Sequence, residues 1–434
     1  MTQILFGLFG LAVLVGIAWL FSRDKKSVDW QLVATGVGLQ VLFAMFVLLT
    51  PWGSLVFDTL AKLFVKLSSF TMQGSNIVFG SLSDPGKLGF IFAFQVLPTV
   101  IFFAALMSVL YHLGIMQRVV RAMAWAITRV MRVSGAETTS VCASVFIGQT
   151  EAPLTVRPYI SKMTDSELLT MMIGGMAHIA GGVMAAYIQM LGGGDPVLQA
   201  IYAKHFLAAS IMAAPATLLI AKILVPETGE PLTRGSVRMN IEKTTTNVID
   251  AAAAGAADGM RLALNIGAML LAFIALIAML NAMIAWGADA SGFSHWLNAG
   301  RSTPFDINLG SLLGVVLSPI AWLIGVPWRD AVLAGGLIGQ KIVLNEFVAY
   351  LQLSATPVGN GVGQITEHTR LILTYALCGF ANFSSIAIQI GGIGGLAPER
   401  RHDLARYGLL AVLGGTLATF MTATIAGVLS QYAG

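Results

Sequence analysis

Blocks of apolar residues close to the roughly 20 that a helix needs to cross a bilayer recur along the chain, at 4–21, 32–50, 88–113, 205–225, 263–286 and 405–431. Two longer blocks, 166–191 and 368–396, are interrupted by glycine clusters. Two others, 136–160 and 331–356, are apolar but carry polar residues halfway along. These last two predict re-entrant helical hairpins, because broken backbone at membrane depth is tolerated only where protein or a water-filled cavity covers it. The pattern therefore predicts an all-α integral membrane protein with eight transmembrane helices and two re-entrant hairpins. Residues 115–132 have a different period. Arg118, Arg121, Trp125, Arg129 and Arg132 share one helical face and Met116, Val120 and Ile127 the other, which predicts a helix lying on anionic lipid. Residues 52–68, with Lys62 and Lys66 on one face, predict a second surface helix on the outer side.

Composition removes whole classes of function. The chain has 434 residues, 56% hydrophobic and only 11% charged, against about 25% charged in soluble proteins. A soluble enzyme is excluded. Cys142 and Cys378 are the only cysteines, and both lie in apolar stretches, so neither a disulfide framework nor a thiolate metal site is expected. The first block lacks a basic leader and a small-residue cleavage site, and reads as a membrane helix. With both termini outside and the hairpins not crossing, most of the 25 basic residues fall on the cytoplasmic side, among them Arg23, Arg400, Arg401, Arg238 and Lys243. That is the bias expected of cytoplasmic loops, and it supports eight spans with both termini outside. No HExxH, GxSxG, Walker or dinucleotide motif occurs, so no enzyme is expected. The basic stripe points to lipid; no nucleic-acid partner is expected.

The parts repeat. A helix (115–132), a hairpin (136–160), a broken helix (166–191) and a helix (205–225) are followed, after one span at 263–286, by the same series at 309–326, 331–356, 368–396 and 405–431. An odd number of spans between the units inverts the second in the membrane. Inverted repeats are a signature of secondary transporters, whose substrate sites form at midplane where discontinuous helices meet. The division that follows is 1–113 for the first three spans with the outer helix, 114–225 for the first repeat, 226–308 for the loop and central span, and 309–434 for the second repeat.

Of the 21 acidic residues, only Glu151 and Glu346 stand at the midpoints of the hairpins, in GQTEAP and LNEFVAY. An ionisable residue inside a membrane is by default a functional candidate. The broken helices, GGMAHIAGG (174–182) and CGFANFSSI (378–386), add backbone groups freed by glycine, the polar side chains of Asn382, Ser384 and Ser385, and the ring of Phe380. Carboxylates repel anions and accept strong hydrogen bonds from hydroxyls, so a neutral hydroxyl-rich solute or a cation fits. Gln149 and Thr150 can read an amide-like edge, and a sugar joined to a heterocycle uses every one of these features. A nucleobase or a sugar alone, carried with sodium, fits as a second reading. His178, in the first break, reads either as a neutral histidine bonded to a backbone carbonyl or as a proton-sensitive coupling group. Lys341 reads either as snorkelling outward or as paired locally.

The motif GQKIVLNEFVAY (339–350) resembles the signature of the concentrative nucleoside transporter family, and GQTEAPL and GFANFSS match other patterns of that family. The resemblance covers nearly the whole chain, in the short bacterial form with eight spans. It implies a homotrimer. It also implies a scaffold of spans one to three with 263–286, and a transport domain made of the two repeats that moves as an elevator. It places the nucleobase at Gln149, Thr150, Glu151 and Phe380, and the ribose hydroxyls at Glu346, Asn382 and Ser385. The coupling-ion positions fall on Ser144, Ile147, His178 and Ile179. Sodium-coupled members carry Asn and Ser where this chain has Ser144 and His178. Imidazole is a poor ligand for sodium, so proton coupling is expected in place of sodium. No cofactor beyond the coupling ion is expected.

Overall fold

A computed structural model describes residues 2–234, 245–300, 304–361 and 363–432; Arg238 and Lys243 lie outside them. Among the described residues the only β structure is two isolated bridges. The first two spans are α1 (Thr2–Leu20) and α2 (Trp30–Leu49), and the expected surface helix is α3 (Pro51–Phe79). α3 runs well past the expected 52–68. Side chains set the entries: Asp29 accepts the Gln31 and Leu32 amides to cap α2, and Thr50 accepts the Gly53 amide ahead of Pro51. The third span is α4 (Leu97–His112), and the amphipathic helix is α5 (Ile115–Met131), with Met116, Val120, Ala124, Ile127 and Met131 buried and its arginines exposed.

The first repeat continues with α6 (Gly135–Ser144), an irregular second hairpin arm, the broken pair α7 (Asp165–Ala177) and α8 (Gly181–Gly192), and α9 (Pro196–Leu224). The central helix α10 (Val248–Ala290) has 43 residues, almost twice the expected 263–286. The second repeat is α11 (Leu309–Leu323), the hairpin α12 (Trp328–Val343) and α13 (Glu346–Ala355), the broken pair α14 (Glu367–Ala376) and α15 (Phe383–Leu396), and α16 (Arg401–Ser430). Among the described residues seven segments are long and apolar enough to cross a membrane, and an eighth arises if α11 and α12, bent by 116°, count as one. The broken helix expected at 368–396 is two helices of 10 and 14 residues separated by an unwound segment.

Small residues decide which helices touch. A Cβ on Gly314 would sit 2.3 Å from the Val332 carbonyl oxygen, so α11 and α12 approach backbone to backbone. A Cβ on Gly259 would sit 2.8 Å from the Ile101 Cα, which brings α10 against α4 in the same way. α9 and α16 form the buried centre, and α1, α2, α3, α7, α8 and α14 pack around them. α10 is almost wholly exposed apart from its α4 side.

Each hairpin is pinned at its base by a buried acid. At hairpin 1, Lys222 of α9 lies 2.8 Å from Glu137 and 3.2 Å from Glu227, and Ser134 donates to Glu167. At hairpin 2, Asp330 accepts from the Thr366 amide at 2.9 Å and from the Thr369 hydroxyl at 2.6 Å. Glu137, Glu167 and Asp330 are all buried. This corrects the expectation that Glu151 and Glu346 are the only deep acids.

Candidate functional site

The two unwound segments meet. Gly379, in the second break, has φ +147°, and a Cβ there would lie 2.8 Å from the Met176 carbonyl oxygen and 3.0 Å from that of Ala177. Glycine is therefore required by both conformation and contact. The same unwinding frees Asn382 to cap α15, accepting the Ser385 amide at 2.9 Å. In hairpin 2, Asn345 accepts the Val348 amide at 3.0 Å and caps α13, so Glu346 becomes the first residue of a helix, where the positive end of the helix dipole favours a carboxylate.

A chain of side-chain hydrogen bonds runs from this point across both repeats. Tyr187 of α8 donates to Glu346 Oε1 at 3.0 Å, and Asn382 Nδ2 donates to Oε2 at 2.9 Å. Gln149 Nε2 donates to the Ser385 hydroxyl at 3.1 Å, and Gln389 Nε2 donates to Gln149 Oε1 at 3.2 Å. Glu346, Asn382, Ser385 and Gln149 are buried. They border a cavity of about 970 Å³ whose lining also includes Thr150, Glu151 and Phe380. Its far wall is α4 and α10, and it extends to His112, Ser161 and Thr245. All seven residues expected at a base and ribose site thus come together at one cavity.

Glu151 corrects the expectation of two matched buried acids. Hairpin 1 does not re-form an α-helix at its tip: a 3-10 turn over Ala152–Val156 follows, and Glu151 is exposed.

The four coupling positions do not share one surface. Ile147 lines the cavity, whereas Ser144, His178 and Ile179 are buried behind it. The Ser144 hydroxyl donates to the Ser140 carbonyl at 3.0 Å. His178 Nδ1 lies 2.7 Å from the Gly174 carbonyl. A carbonyl can only accept, so Nδ1 carries the proton and Nε2 is a bare acceptor. Nε2 has no hydrogen-bond partner and lies near the Ser210 backbone. Lys341 does not snorkel: it is fully buried and donates to the Ala376 carbonyl at 3.0 Å and the Thr419 hydroxyl at 3.2 Å. Among the described residues no cluster of three or more His, Cys, Asp or Glu side chains forms a metal site.

Tyr187 and Gln389 belong to the site and were not singled out in the sequence. Each sits in an apolar helix and looks like an ordinary core residue. Gln389 carries the only readable sign, an amide in the middle of a buried apolar run.

Paired hairpins, facing helix breaks and a cavity bordered by buried polar side chains define a multi-pass membrane carrier, and the resemblance seen in the motifs extends to the whole chain. Three family descriptions match it: Na+ dependent nucleoside transporter N-terminus over 9–82, nucleoside recognition over 93–194, and Na+ dependent nucleoside transporter C-terminus over 205–427. The nucleoside permease NupC of Helicobacter pylori is 40% identical, covering 98% of this chain and 97% of that protein. An uncharacterized transporter of Haemophilus influenzae is 46% identical, covering 98% of each. The structure of CNTnw in an inward-facing substrate-bound state superposes with a TM-score of 0.88 at 42% identity, covering 99% of this chain and 100% of that one. A CNTnw variant in an intermediate state gives 0.90 at 42% identity, covering 100% of both. The chain belongs to the concentrative nucleoside transporter family, a family of transporters and not of enzymes.

Proposed function

We propose that this protein imports nucleosides, both uridine-like pyrimidines and purines, across a bacterial inner membrane together with a proton. The observation that carries the reading is the buried carboxylate of Glu346, held by Tyr187 and Asn382 at one end of a cavity that also presents Gln149 and Thr150. Ribose hydroxyls donate to Glu346, while the amides of Gln149 and Asn382 give and receive at the base and sugar. Charge-assisted bonds of this kind are about twice as strong as neutral ones. Phe380 offers its ring to the base. With the basic loops on the cytoplasmic side, the cavity opens inward and both termini lie outside.

The packing supports α4 and α10 as the fixed frame, because the cavity separates them from the hairpins. α1 and α2 pack on α9 and α16, so we count them with the moving body, which departs from the expectation for 1–113. The exposed apolar length of α10 is the surface available to other copies in a homotrimer.

Proton coupling rests on the bare Nε2 of His178. A sodium ion prefers oxygen donors, whereas an imidazole nitrogen beside a backbone acceptor can take up and hold a proton. Uptake of labelled uridine into proteoliposomes, with a proton gradient and a sodium gradient imposed separately, tests substrate and ion together. Uptake driven by the proton gradient alone is expected. Uptake driven by sodium alone overturns the coupling assignment, and no uptake under either gradient overturns the substrate.

A further inference from the structure

The tip of hairpin 1 is wedged between the two repeats, and glycine is what admits it. Gly175 of α7 meets it on one side: a Cβ there would lie 2.8 Å from Gln149 Cβ and 3.3 Å from Gln149 Cα. Gly392 of α15 meets it on the other: a Cβ there would lie 2.7 Å from Thr150 Cγ2 and 3.3 Å from Thr150 Cβ. Carbon atoms rest about 3.5–4.0 Å apart, so neither position has room for a side chain. Gln149 is further held by its hydrogen bonds with Ser385 and Gln389. Thr150 instead turns its methyl to Gly392. A β-branched side chain is stiff about its first torsion, so seating the methyl fixes where the hydroxyl on the same carbon points. The neighbouring Gly391 would carry a Cβ with nothing within 4 Å. The need for glycine thus belongs to the face of α15 turned to the tip, not to the helix as a whole.

We propose that Gly392 is a positioning residue for base recognition, a seat in the second repeat that sets the aim of Thr150 in the first. Gly392 is not among the residues that line the cavity, whereas Thr150 is. With alanine at 392, Thr150 escapes the new Cβ only by rotating its first torsion, which re-aims the hydroxyl, or by shifting the tip off α15. Either changes what the cavity presents to the base. Ser385, on the ribose side, lies about two turns away on the same helix and keeps its place. The inference rests on the nucleoside reading above.

Uptake of labelled uridine by the full-length protein in proteoliposomes tests it, with proton and sodium gradients imposed together so that the coupling ion does not matter. Unlabelled cytidine, adenosine and a dideoxy analogue of uridine serve as competitors. In Gly392→Ala the uridine KM should rise about tenfold and the ranking of cytidine and adenosine should change. The dideoxy analogue should stay as poor a competitor as in wild type. Gly391→Ala should behave as wild type, and an equal loss there assigns the effect to the helix and overturns the proposal. Thr150→Ser removes the methyl that the new Cβ strikes, so Gly392→Ala/Thr150→Ser should return to within about threefold of Thr150→Ser alone. That rescue is expected even if Gly392→Ala by itself does not fold. A double variant no better than Gly392→Ala overturns the proposal, as does a Gly392→Ala indistinguishable from wild type. A loss that weakens every competitor alike makes the seat merely structural and overturns it too. If wild type takes up no uridine, the nucleoside reading fails first; a wild type that does, beside an unrescued Gly392→Ala, sinks this inference alone.

Discussion

The two repeats follow one plan of hairpin, broken helix and closing helix, but they furnish the site differently. Hairpin 2 re-forms a regular helix directly after Asn345, and this places Glu346 at a helix start, buried and doubly hydrogen-bonded. Hairpin 1 continues as a 3-10 turn, leaves Glu151 exposed to the cavity, and buries the neutral Gln149 instead. The second repeat supplies fixed charge and the first supplies adaptable amide and hydroxyl chemistry. Under the proposed function the buried carboxylate of the second repeat meets the ribose, which is the same in every nucleoside, and the amide and hydroxyl of the first, with the exposed Glu151 beside them, meet the variable base. The hairpin bases differ as well: a fully buried ion pair, Lys222 with Glu137, anchors the first, whereas at the second Asp330 pairs with the exposed Arg329 at 2.9 Å and accepts from Thr366 and Thr369.

The harshest test of this division is Glu346→Gln. Removing the charge while keeping the shape should lower uridine uptake about 100-fold, because charge-assisted bonds become neutral ones. Near-normal uptake by this variant in a transport assay would mean that the charged half is assigned to the wrong repeat. Lys222→Met leaves Glu137 buried without its partner and should destabilise the protein by about 3 kcal/mol. Asp330→Asn still accepts from Thr366 and Thr369 but loses its pair with the exposed Arg329, and should lose only about 1 kcal/mol. Thermal unfolding of the two variants in one detergent compares the bases directly, and equal losses would erase the distinction. Tyr187→Phe removes one donor to Glu346 and should weaken uridine binding about tenfold at unchanged base preference. Gln149→Met is expected to have the smallest effect on uridine, a few-fold at most, but to change the ranking of bases in competition assays while ribose remains essential. A ranking identical to wild type would remove Gln149 from base reading.

His178 bears on the same contrast, because the bare nitrogen lies in the neutral repeat. The paired change Ser144→Asn and His178→Ser brings oxygen donors to that position. Stimulation of uptake by sodium is expected in this variant and not in the wild type.

The fold was readable because membrane physics leaves few options. Blocks of apolar residues of spanning length had to be helices, and polar midpoints in apolar blocks had to be covered turns. Glycine clusters located both breaks correctly, at His178–Ala180 and 377–382. Lengths were less legible. The ends of α3 and α10 extend into polar or alanine-rich sequence that hydropathy alone does not mark as helix. The buried acids Glu137 and Glu167 were overlooked, although each closes a capping box with Ser134 and Thr164 that a sequence can display. A capping box announces a helix start; it does not announce burial, which depends on Lys222 arriving from a helix some 85 residues further on.

By itself the sequence determined the solvent, the repeat, the two hairpins and the seven side chains that come to line one cavity, because each is marked by local pattern and by the penalty for unsatisfied polar groups in lipid. Only the tertiary structure decided which of the two hairpin acids is buried, that Tyr187 and Gln389 complete the hydrogen-bond chain, and that Lys341 faces neutral oxygens. Those outcomes turn on where distant helices approach within a few ångströms, at Gly379 against Met176 and Ala177 above all, and the linear pattern carries no measure of that approach.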